Sequence, residues 1–213
     1  MSFDRKTAEG SLVEVLDWLG GDRVIGLGFR LLDGVVATAC HCLPRAAGKV
    51  LLPDPDQPLA EPVLLRLRRP GTARTALAAV LAAAPCSDLA LLGPPPPGAS
   101  LGPATAGPGE PFLDLLAGLS PVRLETAPAA EGQVFVHTHE RRWVEGTARA
   151  SAISIPRPSE RLRSATSGAP VFNAEGRVVG LVGTNDVRLP EATLCVLADR
   201  LPGWALRQDH QAR

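Results

Sequence analysis

An all-β protein in two halves is the fold class this sequence predicts, on three observations. Short runs of aliphatic and β-branched residues recur along the 213 residues, separated by Gly, Pro and Asp turn signals. A single stretch, 198–208, reads as a credible helix. A Pro/Gly-rich passage, 94–111, divides the chain near its middle. Two similar halves around such a linker predict two barrels packed together, at about 11–93 and 112–197.

The elements follow in order. Residues 1–10 are polar and are expected to be loose. Residues 11–19 alternate in part, through Leu12, Val13, Val15 and Leu16. They read as a strand, although a short helix fits as well. Gly20-Gly21-Asp22 is a turn, and 23–32 is the next strand. Its Gly26-Leu27-Gly28-Phe29 is not a phosphate loop, because no helix start and no Gly-Lys-Ser/Thr follows. Asp33-Gly34 is a hairpin turn, and 34–39 is the returning strand. Strands are expected at 49–52 and 63–67, around a Pro/Asp-rich loop at 53–62. The Ala-rich 73–84 could be helix by composition. Gly93 to Pro111 carries four consecutive prolines and five glycines, a linker composition. The second half restarts at Phe112. Residues 133–138, 143–155, 178–182 and 193–197 read as strands. The terminal helix packs through Leu201, Trp204 and Leu206, and Pro202 suits its first turn.

Composition narrows the function. Lys plus Arg is 22 and Asp plus Glu is 22, so the formal charge is zero. Neither a nucleic-acid backbone nor an anionic membrane is indicated as a partner. No apolar run approaches the roughly 20 residues of a membrane helix. The hydrophobic fraction is 45% and aromatics are 4%, with no Tyr, so the core must be built from Val, Leu and Ala. The N-terminus lacks the apolar run and cleavage site of a secretory signal, which predicts a cytoplasmic protein.

Three residues carry candidate chemistry. Ser167 lies in Ser164-Ala165-Thr166-Ser167-Gly168-Ala169-Pro170-Val171-Phe172. Gly168 permits a tight turn and Pro170 ends it before a strand, so the Ser hydroxyl is presented on a rigid corner. A hydroxyl is a poor nucleophile without a base and a group that orients the base. His41 follows the β-branched run Val35-Val36-Ala37-Thr38, and Asp88 precedes the apolar run Leu89-Ala90-Leu91-Leu92.

Together these motifs resemble those of the trypsin-like serine peptidases. Thr38-Ala39-Cys40-His41-Cys42 is similar to that family's Thr-Ala-Ala-His-Cys, and Asp88-Leu89-Ala90-Leu91-Leu92 to its Asp-Ile-Ala-Leu-Leu. Ser167-Gly168-Ala169-Pro170, with Gly176 to Leu181 behind it, resembles its Ser-Gly-Gly-Pro and the following strand pair. Gly26-Leu27-Gly28-Phe29 resembles the Gly-Thr-Gly-Phe ahead of the His in bacterial and intracellular members. The order His, Asp, Ser, separated by 47 and 79 residues, is one of the known triad orders. The resemblance covers roughly 13–204.

The resemblance implies two packed six-stranded antiparallel β-barrels with a short C-terminal helix, and makes 73–84 a strand leading to Asp88. It implies a serine endopeptidase of the bacterial intracellular type, acting on a protein or peptide substrate without a cofactor or metal. Ser167 would be the nucleophile, His41 the base and Asp88 its orienting partner. The backbone N–H groups of Ser167 and Ala165 would form the oxyanion hole. Ala165 departs from the family's Gly, and Ala resists positive φ, so a hole flipped until substrate or an activator binds is left open. Thr166 departs from the Asp of secreted relatives, which predicts no activation by N-terminal cleavage. By the same resemblance Arg161 would form the base of the primary pocket, with Gly183, Thr184 and Asn185 as its wall. An Arg there favours an acidic side chain before the scissile bond.

Other readings stand beside this one. A catalytically degenerate member would bind peptides in the same cleft without turnover. A regulated effector protease would need a regulatory protein partner. Cys40-His41-Cys42 with Cys86 offers soft ligands, but zinc favours wider cysteine spacing, and buried Cys as a small hydrophobe is the simpler reading. Cys42 has no cysteine on the preceding strand to pair with, which fits a reducing compartment. His137 and His139 share one strand face and could line the cleft or a solvated barrel surface.

Overall fold

The computed structural model describes residues 3–17, 21–32, 34–44, 62–100, 109–125, 131–155, 162, 165–185, 191–197 and 201. Twelve antiparallel strands close into two six-stranded barrels. The first contains β1 (Leu12–Leu16), β2 (Val24–Arg30), β3 (Val36–Ala39), β4 (Leu64–Arg68), β5 (Thr75–Ala84) and β6 (Leu89–Gly93), in the order β1-β2-β3-β6-β5-β4. The second contains β7 (Gly132–His137), β8 (Trp143–Arg149), β9 (Ala152–Ser154), β10 (Pro170–Asn173), β11 (Val178–Asn185) and β12 (Glu191–Val196), in the order β10-β11-β12-β9-β8-β7. Closure satisfies every strand edge, which an open sheet would leave unpaired.

β5 is the Ala-rich stretch. Helix propensity favours it as helix, yet it pairs along its length with β4 and β6. Tertiary pairing overrides propensity here, and small Ala side chains fit between flanking strands rich in Leu. The expected strand at 143–155 is two strands, β8 and β9. Ala150 takes a left-handed φ of 49° and turns the chain between them. As the aromatic-poor composition requires, the cores are aliphatic. Leu65, Leu67, Leu91 and Leu92 fill the first barrel, and Ile153, Val171, Val182 and Leu194 the second.

Two segments differ from their expected form. Residues 4–10 are ordered by α1 (Arg5–Glu9), whose N-cap Asp4 accepts from the backbone N–H of Lys6 and Thr7. Ahead of α1, Phe3 stacks on Phe135 at 5.0 Å and meets Trp143 edge-on at 5.1 Å. Arg5 pairs with Glu145 at 2.7 Å, and Trp143 Nε1 donates to Glu9 Oε1 at 2.7 Å. The start of the chain thus straps the first barrel to the second. Phe112–Ala117 forms α2, burying Phe112, Leu115 and Leu116. Arg30 Nη1 donates to the carbonyls of Leu116, within α2, and of Leu119 just beyond it, which fixes the connection against β2. The strand expected at 49–52 and the helix expected at 198–208 lie outside the described residues, apart from buried Leu201. Among the described residues no helix is long and apolar enough to cross a membrane.

Candidate active site

Two neighbouring strands of the first barrel bring His41 and Asp88 together. β3 ends in a single 3-10 turn, Cys40–Cys42, which lifts His41 off the sheet. β5 ends in another, Pro85–Ser87, and Asp88 follows in the left-handed region at φ 53°, which Asp tolerates better than most residues. Since Ala39 pairs with Leu89 across β3 and β6, both turns sit at one rim. Cys40 N–H donates to the Asp88 carbonyl and His41 N–H to Asp88 Oδ1, each at 3.0 Å. His41 Nδ1 lies 2.8 Å from Asp88 Oδ2 and 3.0 Å from Oδ1. The Asp88 carboxylate is therefore anchored by backbone and holds the His41 ring through Nδ1.

The second barrel supplies Ser167, on the turn entering β10. Ala169 N–H closes the turn on Thr166 O at 3.0 Å. Gly168 N–H donates to Val182 O at 2.7 Å, which ties the turn to β11. Leu27 N–H donates to Ser167 O at 2.8 Å, which ties it to β2 of the other barrel. Ser167 is 6% exposed, and its Oγ donates to Gly183 O at 3.5 Å. Gly183 also lies against Asp88, since a Cβ there would stand 3.2 Å from Asp88 Oδ2. Gly183 thus lies between the Ser167 hydroxyl and the Asp88 carboxylate, at the seam of the barrels. Among the described residues no hydrogen bond joins Ser167 Oγ to His41. Such contacts commonly tighten only when substrate is bound.

Charge at the site follows this geometry. The Asp88 carboxylate, then the Cys42 side chain, raises His41 to about 10, against an opposing effect of burial. Burial, with Asp88 and Cys42 adding, raises the Cys40 thiol to about 11 and keeps it protonated. Cys42 is buried with its thiol turned to the carbonyls of Ile25 and Ser167 at 3.8 and 3.9 Å. Gly26 leaves room for that sulfur, which packs beneath the Ser167 turn. No cluster of three metal-ligating side chains occurs among the described residues.

Ala165 does adopt positive φ, at 69°. Releasing about 1–2 kcal/mol of left-handed strain outweighs the roughly 0.5–1 kcal/mol of backbone entropy that glycine adds. Ala165→Gly is therefore expected to raise the melting temperature by about 1–4 °C. A lower melting temperature would contradict the strain.

Of the expected pocket residues, Gly183 stands in the site, Thr184 and Asn185 continue β11 at the backbone, and Arg161 lies outside the described residues. His137 lines neither the cleft nor a solvated face. It is 6% exposed, packed on Trp143 at 5.1 Å, and burial lowers its pKa.

Comparison with known proteins agrees with this arrangement. The family model described as trypsin-like peptidase domain matches residues 26–181. A search of curated protein sequences finds no match. Among solved structures, the active form of the Rv3671c protease from M. tuberculosis is 18% identical with a TM-score of 0.52, over 92% of this chain and 83% of that one. A serine protease of human pathogenic astrovirus is 18% identical with a TM-score of 0.52, over 91% and 94%. The serine endoprotease from Yersinia pestis is 14% identical with a TM-score of 0.60, over 95% of this chain and 65% of that one. At these identities the structures speak for the fold alone, while the family model spans well over half of the sequence, and the chain belongs to the trypsin-like peptidase domain family.

Proposed function

We propose that the chain is a serine endopeptidase working through Ser167, His41 and Asp88. Ser167 Oγ attacks the peptide carbonyl, and His41 Nε2 takes its proton. His41 then returns the proton to the leaving amine, and water cleaves the acyl-enzyme by the same steps in reverse roles. Asp88 fixes Nδ1–H and stabilises the imidazolium. The N–H groups of Ala165 and Ser167 hold the oxyanion, a contribution of about 3 kcal/mol per donor in such sites. Arg161 and the strand from Gly183 to Asn185 would receive the side chain before the scissile bond. A regulated effector role, with a partner protein controlling access, belongs to the same reading.

The observation that carries it is the 2.8 Å contact from His41 Nδ1 to Asp88 Oδ2, made at the seam where the Ser167 turn docks. The alternative is a peptide-binding domain without turnover. It is favoured by the Ser167 hydroxyl facing Gly183 O instead of the imidazole. A fluorophosphonate probe separates the two. The endopeptidase reading expects one covalent adduct per chain by intact mass, mapped to Ser167 and absent from Ser167→Ala. Unlabelled folded protein, across the neutral to alkaline range, supports the binding domain instead.

A further inference from the structure

A second cavity, of about 420 Å³, opens on the seam and contains none of the three site residues. Its walls come from both barrels and from the connecting segments. Arg69 and Pro70 follow β4, Glu9 closes α1, Leu119 follows α2, and His137 and Arg141 come from the end of β7 and the turn beyond it.

Two guanidinium groups are seated there on glycines. A Cβ at Gly71, where φ is +81°, would stand 2.8 Å from Arg141 Nη2, and one at Gly118 would overlap Arg69 Nη1. Each guanidinium thus packs directly on a glycine backbone. Arg69 Nη2 pairs with Glu110 at 3.3 Å, but its buried Nε has no partner. None of the described residues pairs with the Arg141 side chain. On the acidic side, Glu9 is taken up by Trp143 Nε1, with His137 Nε2 at 3.7 Å, and Glu110 is outside the lining. Burial keeps His137 in its neutral form. The lining thus sets two guanidinium groups against the single Glu9 carboxylate, beside aliphatic surface from Leu12, Pro70 and Leu119.

We propose that this cavity binds a monocarboxylate with a small aliphatic body, held by Arg141 with Arg69 Nε beside it. A planar carboxylate matches the Arg141 guanidinium fork, and a single negative charge matches the one positive charge that the lining carries in excess, Arg69 and Arg141 against Glu9. Such a ligand would bridge the two barrels, since Arg69 belongs to one and Arg141 to the other. The carboxylate could be a peptide C-terminus or a free acid.

The test is calorimetric titration, which does not depend on catalysis. The probes are an acetylated dipeptide ending in valine, its C-terminal amide, isovalerate and inorganic phosphate, each against wild type and Arg141→Gln. Arg141 is exposed, and unchanged thermal melting of the variant confirms that it folds. Saturable binding of a carboxylate probe with Kd of about 1 mM or tighter is expected, weakened at least about tenfold in the amide and in Arg141→Gln. Tighter binding of the peptide acid than of isovalerate assigns a peptide terminus, and the converse or equality a free acid. No saturation by either acid, equal binding of the amide, indifference to Arg141→Gln, or binding of phosphate in place of the carboxylates overturns the proposal.

Discussion

Ser167→Ala is expected to lower kcat by about 10⁶-fold, and Asp88→Asn by about 10⁴-fold, in a peptide-cleavage assay. The first removes the hydroxyl proposed to become acylated. The second leaves the imidazole in place but costs it the carboxylate at 2.8 Å that selects the tautomer with Nε2 unprotonated. The two variants differ in a second way. Because Asp88 is the largest cause of the rise of His41 to about 10, wild-type kcat/KM should climb on the alkaline side, well above the ordinary histidine value of 6.5. A base must be neutral to accept a proton, so the climb follows loss of the imidazolium proton. In Asp88→Asn the residual activity should climb at lower pH, and in Cys42→Ala the shift should be in the same direction but smaller. Stability has the opposite sign. The raised His41 stabilises the fold fully below its unfolded value, and that contribution is lost as pH rises through about 10. A pH-rate profile in which Asp88→Asn climbs where wild type does would show that Asp88 does not govern the base.

Gly168→Ala is expected to destabilise the protein by at least about 4 kcal/mol, a fall of roughly 10 °C in melting temperature, and to abolish fluorophosphonate labelling. Gly168 has a φ of +83°, and its Cβ would overlap the Leu27 carbonyl oxygen while standing 2.6 Å from Thr38 Oγ1 and 2.9 Å from Ala39 N. None of these can yield cheaply. Leu27 O accepts from Thr38 Oγ1 at 2.7 Å, and Ala39 begins the turn that carries His41. The Ser167 turn must move instead, away from the seam. Gly98 provides the control, with a φ of +78° and nothing within 4 Å of its added Cβ. Gly98→Ala should cost only the backbone strain, about 1–2 kcal/mol. Equal losses from the two substitutions would mean that Gly168 serves handedness alone and not close approach.

Much of this architecture could be read from residues alone, for local reasons. The left-handed turn residue Gly34 and the alternation in β8 are properties of neighbours in the chain. His41, Asp88 and Ser167 each stand at the end of an apolar strand, where a short motif announces them. What escaped reading depends on distant partners. β5 looks helical by composition, and only the family resemblance makes it the strand that β4 and β6 flank. The order in residues 4–10 is partly supplied by residues 135–172, with which Phe3, Arg5 and Glu9 make contact. The family resemblance offers Gly183 as a pocket wall, and only the fold sets it between Ser167 and Asp88. The cavity at Arg69 and Arg141 draws on five separated stretches, none of which carries a motif.

The strap formed by Phe3, Arg5 and Glu9 also imposes a timetable on biosynthesis. These residues are translated well before the rings and carboxylate that receive them, which are encoded as far along as Phe172. At translation speeds of about 5–20 residues per second, Phe3 waits on the order of ten seconds for its aromatic neighbours. The nascent first barrel therefore spends that interval with an unsheltered phenylalanine, an apolar handle open to association with other chains.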